Sequence, residues 1–456
     1  MGAVVAMASA PTLDAQSWSV QSALARTLAS NSELRFAREQ LRLQGRIQSL
    51  AVLGVMPTLS ITYTDTGSVT RGGPDTYQST LGFEFSQLVY NRGSYWIGRR
   101  QTAAERQLAT ENLVVQESQV ATAFLELLIS LLLNQERIAI RTELIANARD
   151  QLVIAVEELD LGAITELDLL EVETQVLEQE LALEELRRTQ TQLEFQINAA
   201  LELDPDSEVR FDAELDASFT GLVEELDAPA LTARALSENI QLRQARNAVA
   251  VAGDAVRSAR RVWLPQVSAS ASVQFSGDEF PLSDPTLGLG VDLAWNLPVA
   301  PVDVGGDISR SDQLSRSRSA TISTTIPGNV EGLTAGDQAR LSALQAGTNL
   351  LDQSTALTFQ IEQAVDEISS RRRSLSVARR RLSLERRRVE IQLVLLELGQ
   401  LTRVDAVESQ VRLANLEIDL IESVVELFRT ELAVLQTVGE RDLVPSYAAI
   451  VTGFES

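Results

Sequence analysis

The chain has 456 residues, 45% of them hydrophobic and 5% aromatic, with a net charge of −24 and neither histidine nor cysteine. Without cysteine there is no disulfide or thiolate metal site, and without histidine the commonest general base and metal ligand is missing. The acidic balance disfavours nucleic acid and anionic membrane surfaces as partners; it fits either a lumen that prefers cations or an acidic solvated exterior.

In chain order, residues 1–17 read as the remnant of a secretory signal, with Ala8-Ser9-Ala10 as a cleavage motif, or as a flexible N-terminus. From Trp18 to about Leu53, Leu24, Leu28, Leu34 and Leu41 recur at helical spacing, and Pro57 ends the helix. Two strands follow, at about 57–66 and 79–90. In the first, Leu59, Ile61 and Tyr63 alternate with Ser and Thr; in the second, Leu81, Phe83 and Phe85 alternate with Gly82 and Glu84. Gly72, Gly73 and Pro74 supply the turn between them. A helical hairpin then spans about 94–202. Its first arm has no proline from Ser94 to Leu159, and at ~1.5 Å per residue it reaches on the order of 100 Å. Arms this long pack as coiled coils. The apolar run Leu127–Leu133 is too short to span a bilayer and reads as helix core.

The second half repeats the first. Ala25-Arg26-x-Leu28-x-x-Asn31-x-x-Leu34-Arg35-x-Ala37-Arg38 returns residue for residue from Ala233 to Arg246, at an offset of 208. Leu161-Gly162-x-x-Thr165-x-x-Asp168-x-x-Glu171 returns from Leu398 to Glu408, at an offset of 237. The second copy therefore carries 29 more residues than the first. The repeats are placed at 18–228 and 229–440, followed by a tail at 441–456. The second contains strands at about 265–276 and 286–297, an insertion at about 298–332 and a helical hairpin at about 335–438. Within the insertion, Ser319–Ile326 also alternates. If that stretch rather than Leu287–Trp295 is the fourth strand, the insertion is a loop before it; if not, it lies between the fourth strand and the long helix.

Strands of about ten residues with apolar and polar alternation suit a membrane β-barrel, and also an ordinary soluble sheet. Four strands cannot close a barrel alone: two chains would give eight and three would give twelve, with a usable pore. At the helical turns, Gly162 and Gly399 permit the left-handed conformation that ends a helix. Thr165 and Thr402 can cap the next helix, and Asp168 and Asp405 fall in its first turn, where the helix dipole favours them. The glutamate-rich faces and the arginine triplets at 371–373, 379–381 and 386–388 read as solvated or ion-paired surfaces.

This duplicated unit of helix, β-hairpin and long helical hairpin, with glycine at each helical turn, resembles the TolC family of outer-membrane efflux and secretion channels. The resemblance runs from Trp18 to about Glu440 and is most specific at Leu161–Asp168 and Leu398–Asp405. It implies a mainly α fold with β structure, in which a homotrimer joins a 12-stranded barrel in the outer-membrane lipid to an α-helical barrel in the periplasm. It further implies a passive export duct, with neither catalysis nor cofactor nor metal, joined through a periplasmic adaptor (membrane fusion) protein to an inner-membrane pump. On the same basis Leu161, Gly162, Thr165, Leu398, Gly399 and Thr402 form the tips where the adaptor docks, and Asp405 and Glu408 ring the closed entrance. Asp168 matches an aspartate that ties neighbouring hairpins shut. Its basic partner in the family falls near Leu401, which is apolar here; Arg403 lies close by, on another face. The competing reading is a soluble coiled-coil scaffold without transport activity. No acid/base constellation or phosphate-cradling glycine motif supports an enzyme.

Overall fold

In chain order the elements are β1 (Gln16–Trp18), α1 (Val20–Ser30), α2 (Ser32–Leu50), β2 (Thr58–Ser68), β3 (Thr76–Asn91), α3 (Ser94–Asp160), α4 (Glu166–Ala200) and β4 (Val209–Phe211). There follow α5 (Ala228–Glu238), α6 (Ile240–Arg260), β5 (Gln266–Gly277), β6 (Asp284–Trp295), β7 (Val302–Ser311), β8 (Arg316–Thr324), α7 (Gly332–Glu397), α8 (Arg403–Val438) and α9 (Val444–Tyr447). This computed structural model describes residues 16–50, 56–68, 76–205, 207, 209–223, 227–278, 281–311, 315–328 and 332–452. Most of the segment read as a signal remnant, the turn at Gly72–Pro74 and the end of the C-terminal tail lie outside the described residues.

The expected first helix is interrupted. Trp18 lies in β1, paired in parallel with β4, and Asn31 separates α1 from α2. The Asn31 amide donates to Thr27 O at 3.0 Å and its Oδ1 accepts from the Leu34 amide at 3.0 Å, so one residue closes α1 and satisfies an open amide of α2. Asn239, its counterpart at the offset of 208, separates α5 from α6, with its amide donating to Ala235 O at 2.9 Å and its Nδ2 to Thr437 O at 2.9 Å.

Chain contacts divide the molecule into two compact units. One holds the described residues up to Arg38, Asn112–Ile240 and those from Thr355 onward; the other holds Glu39–Glu111 and Gln241–Ser354.

The second unit contains an antiparallel sheet in the order β2-β3-β5-β6-β7-β8. It has six strands where the sequence pattern suggested four, because the residues read as an insertion form the β7–β8 hairpin. Gly305, Gly306 and the aspartates of β7 blur the apolar alternation there, so periodicity alone does not reveal the strand. The register places every apolar set on one face. Leu59, Ile61 and Tyr63 stand beside Phe85, Phe83 and Leu81, and these beside Ala271, Val273 and Phe275. Leu289 and Leu287 come next, then Ile308 and Val304, then Ile322. Tyr77 lies on this face near the hairpin turns, and Tyr90 and Trp295 near the opposite end. Ile61, Leu289 and Ile322 are 63%, 68% and 74% exposed, so the apolar face is open rather than packed. Ser, Thr, Gly, Gln and acidic residues make up most of the other face.

In the first unit, helices α1, α3, α7 and α8 pack a core with the C-terminal segment. Phe124, Leu125, Leu128, Ile129, Ile361, Ile368 and Phe428 are fully buried within it. The run from Leu128 to Leu133 sits here, as expected of helix core. Phe428 meets Tyr447 and Phe219 edge to face, at centroid distances of 5.1 and 5.7 Å. The wholly buried Glu431 accepts from Arg372 Nε at 3.0 Å, from Arg372 Nη2 at 2.7 Å and from the Leu222 amide. One arginine triplet thus contributes a structural ion pair, and Arg371 and Arg386 pair with Glu426 and Glu417.

Candidate functional site

Both helical turns close in the same way. The Gly162 amide donates to Leu159 O at 2.9 Å and the Ala163 amide to Glu158 O at 2.8 Å, a Schellman ending for α3. The Gly399 amide donates to Leu396 O at 3.0 Å and the Gln400 amide to Leu395 O at 2.9 Å, ending α7 identically. The glycines have φ of +70° and +66°, and a Cβ on either would meet open space. The demand for glycine is therefore conformational, not steric.

The next residues start the return helices. Thr165 Oγ1 accepts from the Asp168 amide at 3.2 Å, while Asp168 Oδ2 accepts from the Thr165 amide at 2.9 Å and its hydroxyl at 2.8 Å. This capping box satisfies open amides of α4. The Thr165 amide and hydroxyl hold the Asp168 carboxyl below its ordinary pKa. Thr402 and Asp405 repeat the arrangement: the Asp405 amide donates to Thr402 Oγ1 at 3.2 Å, and the hydroxyl donates to Asp405 Oδ2 at 2.6 Å.

Asp405 and Glu408 are both exposed and lie three residues apart on α8. Glu408 accepts from Arg412 at 3.0 Å. Asp168 is engaged within its own turn, whereas the two hairpins are tied elsewhere. Arg403 Nε and Nη2 donate to the two carboxylate oxygens of Glu158, each at 2.6 Å, and Nη1 donates to Gln151 at 2.7 Å. Sequence reading left Arg403 without a partner, because Glu158 lies 245 residues away and no local pattern connects them. A small core of Ala148, Val172, Val176 and Val407 joins α3, α4 and α8 nearby. At the turns Leu161, Leu167 and Leu398 are exposed, Leu161 by 83%. Among the described residues no cluster of acidic residues is arranged to hold a metal ion.

No protein-family profile and no curated protein matches the sequence. Solved structures do match. The transmembrane channel CusC covers 92% of each chain at 13% identity, with a TM-score of 0.74. The outer membrane protein VceC from Vibrio cholerae covers 92% of this chain and 96% of its own at 13% identity, with a TM-score of 0.72. The outer-membrane channel OprN covers 92% and 89% at 16% identity, with a TM-score of 0.71.

The chain has the TolC-type channel fold.

In that TolC-type fold the sheet and the helical hairpins occur together along nearly the whole chain, which separates it from a plain helical scaffold. Among the described residues no helix is long and apolar enough to cross a membrane.

Proposed function

We propose that the chain is one protomer of a trimeric outer-membrane channel, a passive export duct with its sheet in lipid and its helical hairpins in the periplasm. One observation carries this reading: a band of apolar residues crosses all six strands on one face, exposed at Leu59, Ile61, Leu289 and Ile322 and interrupted by charges only toward the hairpin-turn end, with a polar face behind it. Exposed apolar patches on monomeric proteins rarely exceed a few hundred Å², and this alternation suits lipid outside and water inside. Exposed apolar residues at seven-residue spacing support assembly of several copies: Leu170 and Leu177 on α4, and Val377, Leu384 and Ile391 on α7.

In this reading the exposed leucines of the turns, with Gly162, Thr165, Gly399 and Thr402 shaping them, meet a periplasmic adaptor and through it an inner-membrane pump. Asp405 and Glu408 from three copies surround the entrance, with Asp168 setting the geometry of the first turn. The test is extraction from a membrane fraction followed by gel migration and planar-bilayer recording. A heat-dissociable trimer that conducts is expected; a soluble, non-inserting protein would favour the coiled-coil scaffold.

A further inference from the structure

A net charge of −24 disfavours an anionic membrane surface as partner, but the charge is not evenly spread. Residues 86–104 and 255–277 hold six arginines and no aspartate or glutamate, although the chain contains 63 acidic residues. Through these two stretches the sheet joins its helices: β3 runs into α3, and α6 runs into β5. The pairing of Asn91 with Gln266 brings them together at the end of the sheet away from the hairpin turns. The chain has no lysine, so this charge sits entirely on guanidinium groups, planar forks that match the oxygens of a phosphate.

Only part of that charge is used within the fold. Arg261 Nη1 donates to Arg92 O at 3.1 Å. The buried carboxylate of Asp254 accepts from Arg100 Nη2 at 3.2 Å and from Arg257 Nε at 3.1 Å, so two cations share one anion. Arg99 and Arg260 are exposed and form no ion pair among the described residues. Arg99 lies over the ring of Trp96, 6.0 Å from its centroid. Trp96 and Trp263 are 63% and 72% exposed, against the usual deep burial of tryptophan. Tryptophan and long cationic side chains at the end of an apolar band suit the boundary between hydrocarbon and headgroups.

The height agrees. From Ser79, which donates to Asp65, to Tyr90, β3 takes ten register steps along β5. At ~3.3 Å per step and a tilt of about 40° this is about 25 Å along the membrane normal, the height of a barrel's lipid-facing band. Arg92 and the first turns of α3 follow at once, level with the phosphates of a bilayer.

We propose that Trp96, Trp263, Arg99, Arg100, Arg257 and Arg260 form a belt that grips the phosphates of anionic glycerophospholipids at the end of the sheet where the helices leave. This rests on the channel reading above. The tryptophans sit at the top of the acyl chains, and the guanidinium forks take the phosphate oxygens. An anionic headgroup is favoured over a zwitterionic one, because the belt carries excess positive charge and its one carboxylate is already shared.

Tryptophan quenching tests the belt. The full-length protein is reconstituted into phosphatidylcholine bilayers containing a minority of either phosphatidylglycerol or phosphatidylcholine with brominated acyl chains. The parent should favour phosphatidylglycerol by about fivefold or more, the scale of one arginine near an anionic surface. Arg99→Gln with Arg260→Gln removes two guanidiniums without an ion pair, and the preference should fall toward parity. Arg316→Gln with Arg318→Gln, toward the hairpin turns, should keep the parent's preference. Equal association of both lipids with the parent, or a preference lost through Arg316 and Arg318 instead, would overturn the belt and leave the channel intact. Inorganic phosphate that abolishes the preference, where chloride of equal ionic strength does not, would assign the belt to free phosphate. Should the Arg99 and Arg260 variant fail to insert, the parent still decides: its preference should weaken as salt is raised, and a salt-insensitive one would overturn the belt. If the parent itself neither inserts nor forms a trimer, the channel reading fails instead.

Discussion

Arg403 and Glu158 face each other through two hydrogen bonds of 2.6 Å, which fasten the first residue of α8 to the last turn of α3. The pair is largely shielded from water, with side-chain exposures of 17% and 29%. It joins the two helical hairpins of a single chain at the end where their turns lie. A bidentate arginine fork adds direction to the attraction, which a lysine at the same place could not reproduce.

The first prediction concerns that tie. Arg403→Ala should destabilise the turn region by about 1 kcal/mol, a value set between exposed and buried ion pairs. Amides near Leu161 and Leu398 should exchange faster with deuterium while the core around Phe428 is unaffected. Arg403→Lys should recover only part of the loss. Equal exchange in all three proteins would show that the pair carries no strain between the hairpins.

A pH dependence follows from the same contact. The Arg403 hydrogen bonds hold the Glu158 carboxyl below its ordinary pKa. The folded-state pKa is depressed, so the stabilisation is fully present above the ordinary carboxylate value and is lost as pH falls through the lowered one. Turn amides of the parent should open progressively on acidification through that window. Arg403→Ala should be open already and respond less; an unchanged acid response would mean other carboxylates control the turns.

At the two glycines the prediction is conformational. Gly162→Val or Gly399→Val should cost about 1–2 kcal/mol or more at a left-handed position, since β-branched residues tolerate positive φ poorly. Asparagine should be accepted with little loss. Export should fail in the valine variants although the trimer still assembles. Normal export by both would show that these turns do not dock a partner.

The acidic entrance is tested by replacing Asp405 and Glu408 together with alanine. In a ring of three copies these carboxylates attract cations and repel anions. The parent should therefore be blocked by multivalent cations added on the turn side, and the double variant should not be. Because Asp405 also holds Thr402, some loss of α8 stability is expected with it, on the order of 1 kcal/mol. Stability loss with an unaltered block would leave the two residues as helix caps only.

Inside the first unit, Glu431→Ala should be far more damaging. It would strand Arg372 beside a fully buried position and remove an acceptor from the Leu222 amide, a loss of about 3–5 kcal/mol. Gly221 lies against the same pair with φ of +146°, and a Cβ there would stand 2.7 Å from Arg372 Nη2. Gly221→Ala should therefore also lower the unfolding temperature, by less. A melting profile unchanged in Glu431→Ala would show the ion pair to be dispensable.

Much of this architecture is legible locally. The alternation of Leu59, Ile61 and Tyr63 gives a strand, and the glycine and threonine of each turn give a helix end and a helix start, because these signals operate within a few residues. The remainder depends on partners distant in sequence. Trp18 joins a strand only because Val209–Phe211 is there to pair with it. The β7 strand shows in its pairing with β6 and β8, although its own residues alternate poorly. Arg403 gave no sequence signal of Glu158. Even Asn31 and Asn239, repeated at a fixed offset, mark helix breaks only once their backbone and side-chain bonds are seen.

The polar face of the sheet has an electrical consequence of its own. Its register positions include Glu84, Asp292, Asp303 and Asp307, while Arg310, Arg316 and Arg318 all fall on the apolar face. Water enclosed by a wall with this face inward would sit in a one-signed potential, with dissolved cations enriched and anions thinned. This filter is independent of the turns. A channel stripped of Asp405 and Glu408 should accordingly retain a residual cation preference, one that fades as added salt shortens the Debye length toward ~3 Å at 1 M.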